Sequence, residues 1–145
     1  MFEITQPTSN SSTQSRSLTT GTNPPKSDSG VIRGRPEILS YTLELDISNQ
    51  TNPSWSLDLN IQLFKLTPSE GSPALNILNS STNIGFLGPN AQQDVSFALV
   101  ATNPSDLPPQ GAVYTASGII QFYEEGNPNQ QTHIFQVPVS VEIVE

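Results

Sequence analysis

Cysteine is absent from this chain, so neither a disulfide framework nor a thiolate metal site can be built from it. Histidine occurs once, at position 133. A zinc site would therefore need several carboxylates, an uncommon donor set, and His133 is the sole candidate base for a serine triad. It opens the last alternating segment in phase with Phe135 and Val137, which reads as a rim or core-edge residue of a strand. Basic residues are scarce, five against thirteen acids, for a formal net charge of −8. Such an excess repels nucleic-acid phosphates and anionic membrane surfaces, and basic patches interleaved with aromatics are missing as well. No apolar run approaches the roughly 20 residues of a membrane span. The opening "MFEITQPTS" has neither a basic region nor an apolar stretch of the secretory kind, so a soluble product made in the cytoplasm is expected. Neither a phosphate-cradling loop nor a dinucleotide fingerprint occurs. No catalytic residue, cofactor or metal is expected, and the chain reads as a non-enzyme.

What is present divides in two. Residues 1–30 contain only Met1, Phe2, Ile4 and Leu18 as sizeable apolar side chains. A segment so poor in apolar surface cannot offset the ~1–2 kcal/mol per residue that ordering its backbone costs. Residues 1–35 are therefore expected to form an extended polar arm, and 36–145 a folded domain large enough for a real core. Charge follows the same division. The arm holds Arg16, Lys26, Arg33 and Arg35 against two acids, a net +2, and the rest holds one base against eleven acids, a net −10. A weakly basic arm would be drawn to an acidic surface such as a neighbouring copy's domain, within the limits of screening.

Beyond the arm the apolar residues alternate. Leu39, Tyr41, Leu43, Leu45 and Ile47 take every second position, and Trp55, Leu57, Leu59, Ile61 and Leu63 repeat the pattern before it shifts phase to Phe64 and Leu66. Strict alternation marks half-buried strands, and the phase change predicts a bulge or a strand that crosses between sheets. Shorter strands are expected around "ALNIL" and "NIGFLG". Val95, Phe97, Leu99 and Ala101 form the next stripe, then Tyr114, Ala116, Gly118, Ile120 and Phe122. Phe135, Val137, Val139, Val141 and Ile143 form the last, where Pro138 on the other face predicts an edge position or a bulge. No helical period of useful length occurs. About seven strands with Gly, Pro and Asn turns predict an all-β, antiparallel sandwich.

The carboxylates carry little chemistry. Glu124 and Glu125, followed by "GNPN", could hold calcium with turn carbonyls, but their spacing matches no EF-hand loop and a solvated hairpin tip fits better. Asp46 sits near another acidic turn with the same reading. Glu44, Asp46 and Asp58 fall opposite the apolar stripes, as a solvated sheet face requires. Trp55 reads as a core residue, and the sequons at Asn10 and Asn79 mean little without export.

The run "DLPPQGAVYTASGIIQF", the polar "YEEGNPNQQT" and the closing "IFQVPVSVEIV" together resemble the C-terminal half of immunoglobulin-like modules common in bacterial and bacteriophage proteins. The resemblance implies an immunoglobulin-like sandwich in which Tyr114, opening the penultimate strand, hydrogen-bonds back to the preceding loop and pins a corner. A small module of this kind with an extended arm, no cysteine and no signal peptide also resembles the capsid decoration (cement) proteins of tailed bacteriophages. That implies a virion structural protein binding the major capsid protein or neighbouring copies of itself, as a homo-oligomer, with threefold clustering by analogy. Phe2 and Ile4 would anchor the arm, with Arg16, Arg33 and Arg35 as secondary contacts. At ~3.3 Å per residue the arm could reach on the order of 110 Å. The competing expectation is a phage tail, baseplate or cell-surface adhesion module that binds glycan or protein through sandwich loops.

Overall fold

The alternating segments fold as strands, and their order places them in two facing layers. The computed structural model describes residues 24–50, 57–124 and 128–144. The strands are β1 (Lys26–Arg35), β2 (Ser40–Ser48), β3 (Leu57–Pro68), β4 (Leu75–Ile77), β5 (Ser81–Leu87), β6 (Gln92–Ala101), β7 (Val113–Glu124) and β8 (Gln131–Ile143). They follow one another laterally as β4-β6-β2-β1-β8-β7-β3-β5. Residues 131–140 of β8 pair antiparallel with β7, while Val141–Ile143 pair parallel with β1. β8 thus joins the layer β4-β6-β2-β1 to the layer β7-β3-β5. Lettered in the usual way, the two layers are DEBA and GFC plus one further edge strand, which is the immunoglobulin-like arrangement.

The core lies where the apolar stripes meet. Leu43, Leu45, Ile47, Leu57, Leu59, Ile61, Phe97, Phe122 and Val137 are fully or almost fully buried. The phase change in β3 is a bulge. Leu63 opposes Gly118 and Lys65 opposes Ser117, leaving Phe64 without a partner on β7. Phe64 consequently turns to solvent while Leu66 returns to the core. Pro138 is exposed and opposes Thr115, just before β8 begins to pair with β1, so its missing N–H falls where β8 is still an edge on that side.

Two expectations differ from the structure. First, residues 26–35, expected in the arm, form β1, paired antiparallel with β2 along its length and with β8 over Ile32–Gly34. There are consequently eight strands among the described residues. Second, Leu39 leaves its stripe. Pro36–Ile38 form a single 3-10 turn closed by Leu39 in the left-handed region at φ 56°. β2 and β3 lie in different layers. Glu44 and Asp46 therefore face out from one sheet and Asp58 from the other.

The far end of β2 is stapled by a residue with no signal in the pattern. Asn49 is buried, and its Nδ2 donates to the carbonyls of Leu87 and Gly88, both at 3.0 Å. Its backbone N–H also bonds Ala91 O at 2.9 Å, so one side chain ties the β5–β6 turn to the opposite layer.

Candidate functional site

The two outward faces of the sandwich differ in chemistry. On the β4-β6-β2-β1 layer charged residues, Arg33, Glu44, Asp46 and Asp94, cluster among the outward positions of β1, β2 and β6. Arg33 Nε donates to Glu44 Oε1 at 3.1 Å and its Nη1 donates to Glu142 Oε1 at 2.7 Å. These two carboxylates, the hydrogen bond to Glu44 foremost, raise the guanidinium's pKa further. Lys26 pairs with Asp28 at 2.8 Å. A shallow depression here is lined by Ser29, Val31, Arg33, Glu44, Asp46 and Asp94.

Asp46 and Asp94 stand directly opposite each other across β2 and β6. Like charges in that register repel, at roughly 0.2–1 kcal/mol per pair. Asp94→Asn is therefore expected to raise the urea midpoint with no change in slope, and the gain should shrink in high salt. A lowered midpoint would show instead that the Asp94 carboxylate makes a stabilising contact.

On the β8-β7-β3-β5 layer the outward positions are mostly amides and hydroxyls. Pairing sets Tyr123, Asp58 and Phe86 in one row across β7, β3 and β5, and Gln121, Asn60 and Asn83 in the next. Further along, Ile119 opposes both Gln62 on β3 and Ile134 on β8. Phe86 and Ile134 are 74% and 73% exposed, and Tyr123 is 38% exposed. Between the two rows β5 carries its own bulge, with Leu59 opposite Gly85 and Asn60 opposite Asn83. Gly85 takes φ +78°, a conformation that suits glycine.

The residues singled out from sequence are scattered over this frame. Phe2, Ile4 and Arg16, with Asn10, Trp55 and Glu125, lie outside the described residues. Arg33 is engaged inside its own sheet, and Arg35 is an exposed residue at the end of β1. Tyr114 is fully buried and its hydroxyl donates to the carbonyl of Pro73. The expected corner bond to the preceding loop is thus replaced by one to the β3–β4 connection. The preceding loop is held by β8 instead, through Gly111 N to Val141 O and Val141 N to Ala112 O, both 2.8 Å.

His133 is a half-buried partner of Ile120. Glu124 is buried at the end of β7 and accepts a hydrogen bond from Gln131 Nε2 at 2.9 Å. Asn79 accepts a hydrogen bond from Ala98 N at 2.6 Å, extending the β6 edge past β4. Among the described residues no three His, Cys, Asp or Glu side chains gather as a metal site. The amide rows escaped the sequence reading, although Asp58, Asn60 and Gln62 alternate with the Leu57–Leu63 stripe in plain view.

No family model matches the chain, and no curated protein does. Among solved structures, a PapD-like domain of human CEP192 aligns at 14% identity over 95% of this chain and 99% of its own, with a TM-score of 0.45. The CooA pilin subunit of enterotoxigenic Escherichia coli aligns at 9% identity over 79% of this chain and 90% of its own, with a TM-score of 0.26. A family 123 glycoside hydrolase from Clostridium perfringens aligns at 10% identity over 72% of this chain and 21% of its own, with a TM-score of 0.27. The fold assignment rests on the strand order and register, independently of these distant likenesses.

Proposed function

We propose that this chain is a non-enzymatic structural protein of a tailed-bacteriophage virion, a capsid decoration or cement protein that grips neighbouring subunits through the segment preceding its sandwich. The observation that carries this reading is where that segment joins the fold. It enters at Lys26, the first residue of β1, which lies between β2 and β8. Tension on residues 1–25 is therefore borne by a strand that pairs with β2 along its length and is flanked by β8 at its far end, over Ile32–Gly34. Fully extended at ~3.3 Å per residue, 25 residues could reach ~80 Å, enough to cross a neighbouring small domain.

The redrawn boundary changes the expected chemistry of attachment. Lys26, Arg33 and Arg35 belong to β1, so residues 1–25 carry Arg16 against Glu3 and are neutral overall. Attraction to an acidic surface no longer favours docking. Phe2, Ile4 and backbone hydrogen bonding, as in strand addition to a neighbour's sheet, are left to supply it. The partners are the major capsid protein or further copies of this chain, clustered as a homo-oligomer, threefold by analogy.

Deleting residues 2–25 should leave the thermal unfolding midpoint unchanged and abolish co-sedimentation with the cognate shell. Deletion through residue 30 would remove half of β1 and destabilise the domain itself, so the cut must stop before Lys26. Undiminished co-sedimentation of the 2–25 deletion would sink the proposal.

A further inference from the structure

We propose that the amide-rich face of the β8-β7-β3-β5 layer binds a neutral carbohydrate, seated over Asp58, Asn60, Asn83, Gln121, Tyr123 and Gln130. This goes beyond the decoration role and uses a different part of the molecule, so either reading can fail without the other. The six residues line one open depression of about 190 Å³. That is below the ~300–1,000 Å³ of sites that enclose a drug-sized ligand. It suits one sugar unit of a longer chain lying across the strands.

The groups are arranged as sugar chemistry requires. A pyranose offers hydroxyls that both donate and accept around its rim, and C–H groups on its faces. Here an aromatic row, Tyr123 and Phe86 flanking Asp58, runs beside an amide row, Gln121 and Asn83 flanking Asn60. The rings can take the apolar sugar face, and the amides supply donors and acceptors. The Asp58 carboxylate has no ion-pair partner among the described residues and can accept from two adjacent hydroxyls.

Several amides are already oriented. Gln62 Nε2 donates to Gln121 Oε1 at 2.9 Å, Gln121 Nε2 leans on Gln130 Oε1 at 3.4 Å, and Asn83 Oδ1 accepts from Gly85 N at 3.0 Å. This chain leaves the NH2 groups of Gln130 and Asn83 as donors for a ligand. Groups fixed in advance lose less freedom on binding.

Charge narrows the ligand class. Asp58 is the one charged residue lining the depression, and the whole chain carries −8. Uronic or sialic acid chains would be repelled, which leaves neutral sugars. A protein partner fits less well. The amide row separates the Phe86–Tyr123 row from Ile119 and Ile134. An apolar protein surface laid over it would strand those amides without hydrogen bonds.

The test titrates the full chain with cellohexaose, maltohexaose, chitohexaose and hexagalacturonate, read by amide chemical shifts and calorimetry. At least one neutral hexasaccharide should bind with Kd on the order of 10 μM to 1 mM, shifting residues of β3, β5 and β7 on this face. Tyr123→Ala and Asn60→Ala, each verified as folded by its amide spectrum, should each weaken binding about tenfold or more. The proposal is overturned if no neutral hexasaccharide binds, if hexagalacturonate alone binds, or if both variants bind as the parent does. It is also overturned if the shifts fall on the Arg33–Glu44 face. Loss of shell association in Tyr123→Ala without any sugar binding would assign the face to a protein partner and reject the carbohydrate.

Discussion

Gly118→Ala should destabilise the sandwich by at least about 4 kcal/mol, in the extreme tail for a single methyl group. Gly118 lies on the inward face of β7, where β3 bulges. Leu63 is its partner, and the next partner pair skips Phe64 to reach Lys65. A bulge bends its strand and deepens the local twist, and here it brings the β3 backbone down onto β7. A Cβ at position 118 would overlap the Gln62 carbonyl oxygen and stand 2.9 Å from Phe135 Cζ. Ordinary overpacking costs ~1–3 kcal/mol because side chains can shift. The nearer obstacle here is backbone within a paired strand, so relief requires separating β3 from β7. Urea unfolding of the variant measures the loss. Adding Phe135→Leu should not restore it, since that change removes only the farther contact. Recovery in the double variant would show that the ring, not the Gln62 carbonyl, sets the limit.

Glycine also explains what the sequence concealed. The stripes of β2, β3, β6, β7 and β8 were legible because most of their core positions carry large apolar side chains, and period two then stands out. β1 sends Gly30, Ile32 and Gly34 inward. A Cβ on Gly30 would meet Glu44 O and Leu45 Cδ2 at 2.7 Å, and one on Gly34 would meet the Tyr41 ring. The volume over β1 is filled by its neighbours' side chains, so β1 contributes backbone and little else. Its inward apolar signal shrinks to a single isoleucine, and it reads as the end of a polar arm. The candidate carbohydrate site was hidden for a different reason. Asn60 and Gln121 lie 61 residues apart in the chain (121 − 60), and only the β3–β7 register makes them neighbours. Period two shows which residues face away from the core, and pairing alone shows which of them meet. The Arg33 pairs illustrate the same point, because Glu44 and Glu142 come from strands on either side of β1.

The two buried tyrosines should respond in opposite ways to loss of a hydroxyl. Tyr114→Phe removes the donor to Pro73 O and leaves that carbonyl without it, at roughly 1–2 kcal/mol. Tyr114→Ala also empties a fully buried ring position, at ~3–5 kcal/mol for an aromatic truncated in a core. The Tyr41 hydroxyl is buried too, but it makes no hydrogen bond among the described residues. Tyr41→Phe should therefore cost nothing or stabilise slightly. Alkaline pH separates the pair further. Burial first, then the neighbouring Tyr41 and Asp106, pushes the Tyr114 hydroxyl up to about 12. Burial, followed by Glu37, raises Tyr41 as well. In the unfolded chain a tyrosine ionises near pH 10, so above that pH the unfolded state sheds protons that the folded state keeps. Stability conferred by the neutral hydroxyls is complete below about pH 10 and is lost as pH rises through the folded value near 12. Thermal midpoints followed from neutral to strongly alkaline pH should fall more gently in Tyr114→Phe than in the parent, and most gently in the Tyr41→Phe, Tyr114→Phe double variant. Parallel curves for all three would show that the alkaline loss arises from other groups, and that the Tyr114 hydroxyl reaches solvent more freely than its burial implies.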